Sequence, residues 1–172
     1  MNRLKALMVW LRRIGHCRGF GIQSPTDYAF VRYVINEHWP YYQYETLGQE
    51  DDWLTRKLGR LYFRLANWRQ PKSVLNDRYE KYWKAGCWRV KLTDELERVE
   101  LARIDCDEQR FNSLVPRCDD DSVVIIEGIG QHRHFWQRIQ SDPRVTITYD
   151  LYYCGIVLFD KKRVKQHYLI NF

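Results

Sequence analysis

Residues 122–127 read SVVIIE, a run dominated by β-branched apolar side chains that ends in a carboxylate and is followed by Gly128. An apolar run without polar alternation predicts a strand covered on both faces, as in a parallel sheet flanked by helices. A short amphipathic segment follows, with Phe135, Trp136 and Ile139 at helical spacing. Three extended runs then close the chain: VTITYDLYY, GIVLFD and QHYLINF. Strand, helix, strand and hairpin predict the closing half of a doubly wound α/β domain.

The bulk composition narrows the class of protein. A chain of 172 residues is long enough for one domain with its own core. Hydrophobic content of 45% and aromatic content of 15% exclude an intrinsically disordered chain. Five scattered cysteines without a CxxC pair argue for reduced thiols, and against a disulfide framework or a zinc site. With no run of membrane-spanning length and no recognisable secretory signal, we expect a cytoplasmic protein.

Residues 2–14 predict an amphipathic helix. Its apolar face consists of Leu4, Leu7, Met8, Leu11 and Ile14. Residues 1–20 also carry five basic side chains and no acid, out of a net charge of +6 for the whole chain. An accessory helix packed on the domain is the commonest role of such a stripe. A membrane-surface anchor, which Trp10 and the basic residues would suit, and a nucleic-acid contact are the alternatives.

Two further helices are predicted before residue 70. Ser24 and Pro25 provide an N-cap and a first helical position, and the helix they start is expected to fade near Pro40. An aromatic loop at 41–44 follows, expected to be a lid or a brace. The longest helical pattern covers residues 50–68 and is decorated with basic side chains, which we expect to be solvated. These are Arg56, Lys57, Arg60, Arg64 and Arg69.

The middle of the chain alternates short strand and helix signals. A strand is predicted at 72–75, a helix at 77–85, a brief extended run at 88–92 and a strand at 99–104. A helix through Leu114 and an acidic turn at 119–121 lead to SVVIIE. The sequence therefore predicts a helical extension over residues 1–70, packed on an α/β core over residues 71–172, as one structural domain overall.

With these elements in place, the chain resembles the class I S-adenosylmethionine-dependent methyltransferases. It looks closest to a Bacteroides-type bacterial group with an N-terminal helical extension. The matching segments are GFGIQSPTDYAFVRYVI, LGRLYFRLANWRQPKSVL, SVVIIE with its helix, and VTITYDLYYCGIVLFDKKRVKQHYLINF. The resemblance implies a Rossmann-like, doubly wound sheet, mostly parallel, with an antiparallel C-terminal hairpin.

The chain departs from this family at the cofactor turn. The family follows its first strand with an E-x-G-x-x-x-G pattern, whose glycines let the backbone approach the cofactor. Here Asn76, Asp77, Arg78 and Tyr79 stand in that turn, so no cofactor-binding set is intact. Tyr82 and Trp83 are expected to fill the cofactor space together with Arg78 and Tyr79.

The spacing of the strands indicates a shortened sheet. About fifty residues separate Val74 from Val123, and a β-α-β unit takes about thirty. That interval holds roughly two crossovers, whereas the family has four. We therefore expect the family's strands two and three to be deleted or vestigial.

Polar residues at predicted strand ends form a candidate residual site. They are Asp105, Asp107, Glu127, Gly128, His132 and His134. Asp105 and Glu127 could imitate a carboxylate pair that holds a divalent cation in some relatives, but no ligand spacing demands a metal, and none is expected. Retained strand-end and capping residues are the simpler interpretation. Cys106 lies between two acids that disfavour its thiolate, so no catalytic residue is assigned.

The sequence favours a degenerate, non-catalytic methyltransferase-like protein that acts as a binding, scaffold or regulatory protein, with no cofactor expected. One alternative is an active methyltransferase that binds S-adenosylmethionine in a rearranged pocket. A second is a basic nucleic-acid-binding module that uses residues 1–20 and the arginine-bearing helix. A protein partner or a homodimer is expected to cover an exposed edge of the sheet, and residues 1–20 could contact a membrane peripherally.

Overall fold

The computed structural model describes residues 3–75, 78–95 and 97–172, with the side chain of Arg3 excepted. The α-helices are α1 (Arg3–Arg12), α2 (Pro25–Phe30), α3 (Trp53–Arg69), α4 (Glu80–Gly86), α5 (Glu108–Leu114) and α6 (Arg133–Ser141). The strands are β1 (Ser73–Leu75), β2 (Lys91–Thr93), β3 (Val99–Asp105), β4 (Cys118–Glu127), β5 (Ile147–Asp150), β6 (Cys154–Leu158) and β7 (Gln166–Leu169). Single 3₁₀ turns occur at Ile14–His16, Tyr42–Glu45 and Val115–Arg117, and a π-helical turn at Val31–Ile35 continues α2.

The strands form one sheet in the order β2-β1-β3-β4-β6-β5-β7. β1 is parallel to β2 and β3, and β3 is parallel to β4. β6 is antiparallel to β4 and to β5, with which it forms a hairpin, and β7 is parallel to β5. The predicted α/β class, with a mostly parallel sheet and an antiparallel hairpin near the C-terminus, is confirmed.

The chain divides into two compact units. The helical unit comprises residues 1–70, 78–90 and 170–172. The sheet unit comprises residues 71–77 and 91–169, and so contains all of the strands above. α4 therefore belongs with the N-terminal helices, although it lies between β1 and β2 in the sequence.

The core of the sheet unit packs α5 and α6 against β3, β4 and β6. Phe135, Trp136 and Ile139 of α6 are buried, as the helical spacing predicts. Trp136 packs so closely on β6 that a Cβ at Gly155 would lie 2.2 Å from its ring. This glycine is needed because the indole occupies the space of a side chain.

α3 is the central helix of the helical unit. Asp52 caps its start by accepting hydrogen bonds from the N–H groups of Leu54 and Thr55. Its apolar side is buried, and Tyr62 stacks on Trp83 with ring centroids 4.8 Å apart. The helix ends at Arg69, and its C-cap residue, Gln70, adopts a left-handed conformation.

The basic residues of α3 are not a solvated face. Arg64 is buried and donates hydrogen bonds to the carbonyl oxygens of Val34 and Ile35 at 2.6 and 2.8 Å. Arg56 donates to three backbone carbonyl oxygens in the preceding turn at 2.7 to 2.9 Å. The prediction of solvated side chains is therefore wrong for these two arginines, because their guanidinium groups hold neighbouring backbone in place.

The aromatic loop before α3 is a brace. The rings of Tyr41 and Tyr44 contact Phe63 edge-on at 4.9 and 5.3 Å, whereas Tyr42 is exposed.

The helix that begins at Ser24 ends at Ile35, earlier than expected. The acidic residues at 119–121, which were predicted to form a turn, lie inside β4, where a register shift between Val99 and Leu101 of β3 accommodates them.

A short edge strand lies where the sequence predicts missing strands. β2 has three residues and pairs in parallel with β1, and it runs through only five residues, 94–98, into β3. The residues between β1 and β4 thus form β3 and one edge strand of only three residues, β2.

α1 does not bury its predicted apolar face. All five residues of that face are exposed by between 48% and 63%. The opposite side of the helix turns inward, with Ala6 and Val9 half-buried and Arg13 buried. The expectation that the stripe packs on the domain is therefore wrong. Among the described residues, no helix is both long enough and apolar enough to cross a membrane.

Candidate functional site at the carboxyl ends of the strands

Three acidic residues mark the carboxyl ends of parallel strands in the sheet unit. Asp105 ends β3 and Glu127 ends β4, and the two residues are partners in the register of these strands. Asp150 ends β5, which runs in the same direction. Because ligands of doubly wound sheets bind beyond the carboxyl ends of the strands, this edge is the first place to look for a site.

The two carboxylates of β3 and β4 share one buried cation. Arg103 is only 1% exposed and stands two residues before Asp105, on the same face of β3. Its Nε donates to Glu127 Oε1 at 2.9 Å, and its Nη2 lies 2.9 Å from Glu127 Oε2. The same guanidinium donates to the carboxylate of Asp105 at 2.5 and 3.3 Å.

The ion pairs of Arg103 bear on whether Asp105 and Glu127 could hold a divalent cation. A metal held by Asp105 and Glu127 would need the oxygens that already accept hydrogen bonds from Arg103. The guanidinium already lies between the two carboxylates, so a metal ion placed there would have to displace it or be repelled by its positive charge. Within the described part of the chain, no group of three or more His, Cys, Asp or Glu side chains is placed to hold a metal ion.

The two histidines of the predicted site begin α6 and are exposed. His132 occupies the N-cap position without a side-chain capping hydrogen bond, and His134 follows in the first turn. Gly128 precedes them with a φ of +81°, and its N–H donates to the carbonyl oxygen of Tyr153 at 2.8 Å. A left-handed turn explains this glycine without a ligand.

Cys106 and Asp107 are in structural roles. The Cys106 thiol donates to the carbonyl oxygen of Glu127 at 2.9 Å. Burial, and then the nearby charge of Asp105, raises the pKa of this thiol to about 11, so it is neutral at physiological pH. Asp107 caps α5 by accepting a hydrogen bond from the N–H of Arg110 at 3.0 Å.

Sequence reasoning missed the arginines of this edge. Arg103 is the decisive residue, and its signal was present, because a charged side chain inside an apolar strand needs a partner when buried. Asp150 is also buried, and it accepts a hydrogen bond from Arg133 Nη1 at 2.7 Å and another from the N–H of Tyr152 at 2.9 Å. The strand-end acids thus belong to internal ion pairs.

The turn after β1 lies only partly within the described residues. Asn76 and Asp77 lie outside the described residues, while Arg78 is exposed and Tyr79 adopts a φ of +64° at the N-cap of α4. The Tyr79 ring packs edge-on against Tyr62, with centroids 4.8 Å apart. A left-handed turn with a tyrosine ring attached does not fit the close approach of S-adenosylmethionine that the family's glycines allow.

A cavity of about 630 Å³ lies within the helical unit at the start of α4. It is lined by Asp51, Thr55, Arg78, Tyr79, Glu80, Lys81, Tyr82 and Lys84. Lys81 Nζ lies 2.8 Å from Asp51 Oδ1, and the Tyr82 hydroxyl donates to Asp51 Oδ2 at 2.5 Å. The cavity is thus bordered by tyrosine rings and ion-paired side chains.

The four side chains that were expected in the cofactor space lie in two kinds of environment. Tyr82 and Trp83 are buried in the helical unit, where a Cβ at Gly59 would lie 2.4 Å from the Tyr82 ring. Arg78 and Tyr79 instead border the cavity. The bulky residues therefore serve the packing of α4 on α3 as well as the turn before it.

Comparison of the chain with protein-family models, with curated proteins and with solved structures finds no match in any of the three. A function for this protein has to be inferred from its own residues and their geometry.

Proposed function

We propose that this protein is a non-catalytic binding or scaffold protein built on a shortened, Rossmann-like sheet of the methyltransferase type. The observation that carries the proposal is the bidentate pairing of Arg103 with Glu127, extended to Asp105. Arg103 engages both carboxylates at the carboxyl ends of β3 and β4, and so reduces the negative charge that this edge would offer to a ligand. The paired side chains of Arg103, Glu127 and Asp105 stabilise this edge of the sheet.

The strand order supports a Rossmann-like ancestry. From β1 the chain goes outward to β2 and then returns to β3 on the other side of β1. Such a reversal is the topological switch point at which doubly wound sheets bind ligands. In this chain the carboxyl end of β3 at the switch point carries Asp105, which is paired with Arg103.

The chemistry of the nearby groups supports a non-catalytic role. Cys106 is held as a thiol, so it is a poor nucleophile. His132 is the N-cap of α6 and His134 lies in its first turn, and both side chains are exposed to solvent. Asp107 is engaged as a helix cap.

A second candidate function, an S-adenosylmethionine-dependent methyltransferase with a rearranged pocket, is favoured by the cavity at α4. Its volume of about 630 Å³ is in the range of small-molecule sites. The lining also contains tyrosine rings, on which a purine could stack. The cofactor would then have to bind without a glycine turn.

The nucleic-acid alternative has less support. Arg56 and Arg64 of α3 are occupied with backbone carbonyl oxygens. Arg60 stacks over the ring of Tyr44 at 4.6 Å. Engagement of these guanidinium groups within the fold reduces the positive surface that a phosphate backbone would need.

The discriminating experiment is titration of the full chain with S-adenosylmethionine and S-adenosylhomocysteine, by calorimetry and by thermal shift. We expect no saturable heat and no rise in Tm, because Arg78 and Tyr79 replace the glycine turn. A micromolar Kd would overturn the proposal and favour the methyltransferase alternative. Weakening of that affinity by Lys84→Ala, with Lys161→Ala as the exposed control, would assign it to the cavity.

The cause of the lost affinity can be tested separately with Arg78→Gly. Binding gained by this variant, and not by Arg89→Gly, would attribute the loss to the side chain in the turn. Both arginines are exposed, so neither change removes core packing.

A further inference from the structure

The apolar face of α1 is the most extensive exposed apolar feature of a helix in the described residues. Leu4, Leu7, Met8 and Leu11 lie along one side of the helix, and Ile14 follows directly. Side chains of this size are normally buried when they share a helical face, because that burial stabilises the helix in its fold. Their joint exposure needs a partner surface.

The rotation of α1 is set by contacts on its other side. Arg13 is buried and donates from Nη1 to the carbonyl oxygen of Ile170 at 3.1 Å. The side-chain amide of Asn171 donates to the carbonyl oxygen of Trp10 at 3.1 Å. The backbone N–H of Asn171 donates to the carbonyl oxygen of His16 at 2.9 Å. These hydrogen bonds hold the inward side against the C-terminus, so the apolar face points outward.

Basic residues flank the exposed face. Lys5 and Arg12 are exposed and lie on the same flank of the helix, two turns apart and about 100° from the centre of the apolar face. Trp10 is exposed on the opposite flank. The first acidic residue of the chain is Asp27, so nothing in residues 1–26 offsets these positive charges.

We propose that α1 docks on an anionic lipid surface, with its apolar face in the headgroup region and Lys5 and Arg12 at the level of the lipid phosphates. An apolar stripe with flanking lysine and arginine and an interfacial tryptophan is the pattern of helices that lie in a membrane interface. Positive charge near such a surface attracts the protein to acidic lipids.

The charge distribution selects this occupant over the others. A second copy would bring two basic helices together around the same apolar face, and the like charges would oppose that pairing. Nucleic acid would attract the basic residues but would leave the leucines in water. The proposal does not depend on the proposed function, because α1 lies in the helical unit and Arg103 lies in the sheet unit.

Flotation of the full chain with vesicles tests the proposal. We expect partition onto vesicles of phosphatidylglycerol and phosphatidylcholine, at least tenfold weaker partition onto phosphatidylcholine alone, and weakening by salt. Leu7→Ser/Leu11→Ser and Lys5→Glu/Arg12→Glu should each reduce partition at least tenfold. Trp10→Ala should reduce it, whereas Trp88→Ala, at another exposed tryptophan, should leave it unchanged.

The controls separate charge and folding from docking. Lys161→Glu/Lys162→Glu makes the same change in net charge at exposed positions outside α1 and should partition like the wild type. Circular dichroism melts should show that each variant keeps its fold, because the altered side chains are exposed. Absence of binding to the anionic vesicles, or binding unaffected by the α1 variants, would overturn the proposal. So would a dimer in sedimentation velocity that Leu7→Ser/Leu11→Ser abolishes while vesicle binding is absent.

Discussion

Arg103 and Glu127 join the interior of β3 to the carboxyl end of β4 through two nitrogen–oxygen contacts of 2.9 Å. Arg103 is buried and Glu127 is 11% exposed, so both charges are largely removed from water. Such a pair is costly to break because the remaining charge is left without compensation. The pair therefore constrains the pairing of β3 with β4 at this edge of the sheet.

We expect Arg103→Leu to lower the free energy of unfolding by about 3 kcal/mol, because Glu127 is left as a buried, uncompensated charge. Urea denaturation followed by circular dichroism measures this. The control is Arg98→Leu, which removes an exposed ion pair with Asp119 and should cost much less, because solvent screens that pair. The double variant Arg103→Leu/Glu127→Leu should recover much of the lost free energy of unfolding, because no charge is then left uncompensated. A loss in Arg103→Leu no larger than in Arg98→Leu would contradict the argument.

Gly155→Ala should destabilise the sheet unit by about 2 kcal/mol, because the added methyl group would overlap the Trp136 ring. Thermal denaturation would show it as a lower Tm. Gly15→Ala is the control, since a Cβ there meets no atom within 4 Å. Combining Gly155→Ala with Trp136→Leu should cost less than the sum of the two single changes, and strict additivity would argue against this contact.

The sequence predicts the strands and helices of the sheet unit well, because their apolar periodicity is local. It does not predict which partner Arg103 finds. That pairing depends on the register between Asp105 and Glu127, which lie twenty-two positions apart and meet only when β3 and β4 pair. A period-2 pattern shows which face a residue takes, but not what stands opposite to it.

Helix α1 is a second case in which the sequence predicts an element but not its environment. Its helical period and its apolar stripe are correctly predicted, yet the stripe faces away from the fold. The rotation of the helix is decided by hydrogen bonds from Arg13 to Ile170 and from Asn171 to Trp10, across more than 150 positions of sequence. Amphipathicity alone therefore indicates that one face will be covered, without showing by what.

Alkylation of Cys106 by iodoacetamide should be slow at pH 8, because a thiol pKa of about 11 leaves about one molecule in a thousand as thiolate. Mass spectrometry of the Cys106 peptide gives the rate. The rate should rise about tenfold per pH unit from pH 7 to pH 9, without a plateau. Asp105→Asn should increase the alkylation rate less than unfolding does, because burial raises the pKa of Cys106 more than the charge of Asp105 does. A plateau in the rate near pH 8 would contradict a thiol pKa of about 11.

Tyr82 should make the helical unit sensitive to alkali. Burial, and then the hydrogen bond to Asp51, raises the pKa of the Tyr82 hydroxyl above its ordinary value of 10.0. The folded state therefore holds this proton more tightly than the unfolded chain, so its contribution is complete below pH 10 and is lost as the pH rises beyond it. Tyr82→Phe should lose less stability than the wild type between pH 9 and pH 11, measured by urea denaturation at each pH. Tyr42→Phe, which removes an exposed hydroxyl, should follow the wild type, and parallel curves for all three proteins would exclude Tyr82 as the titrating group.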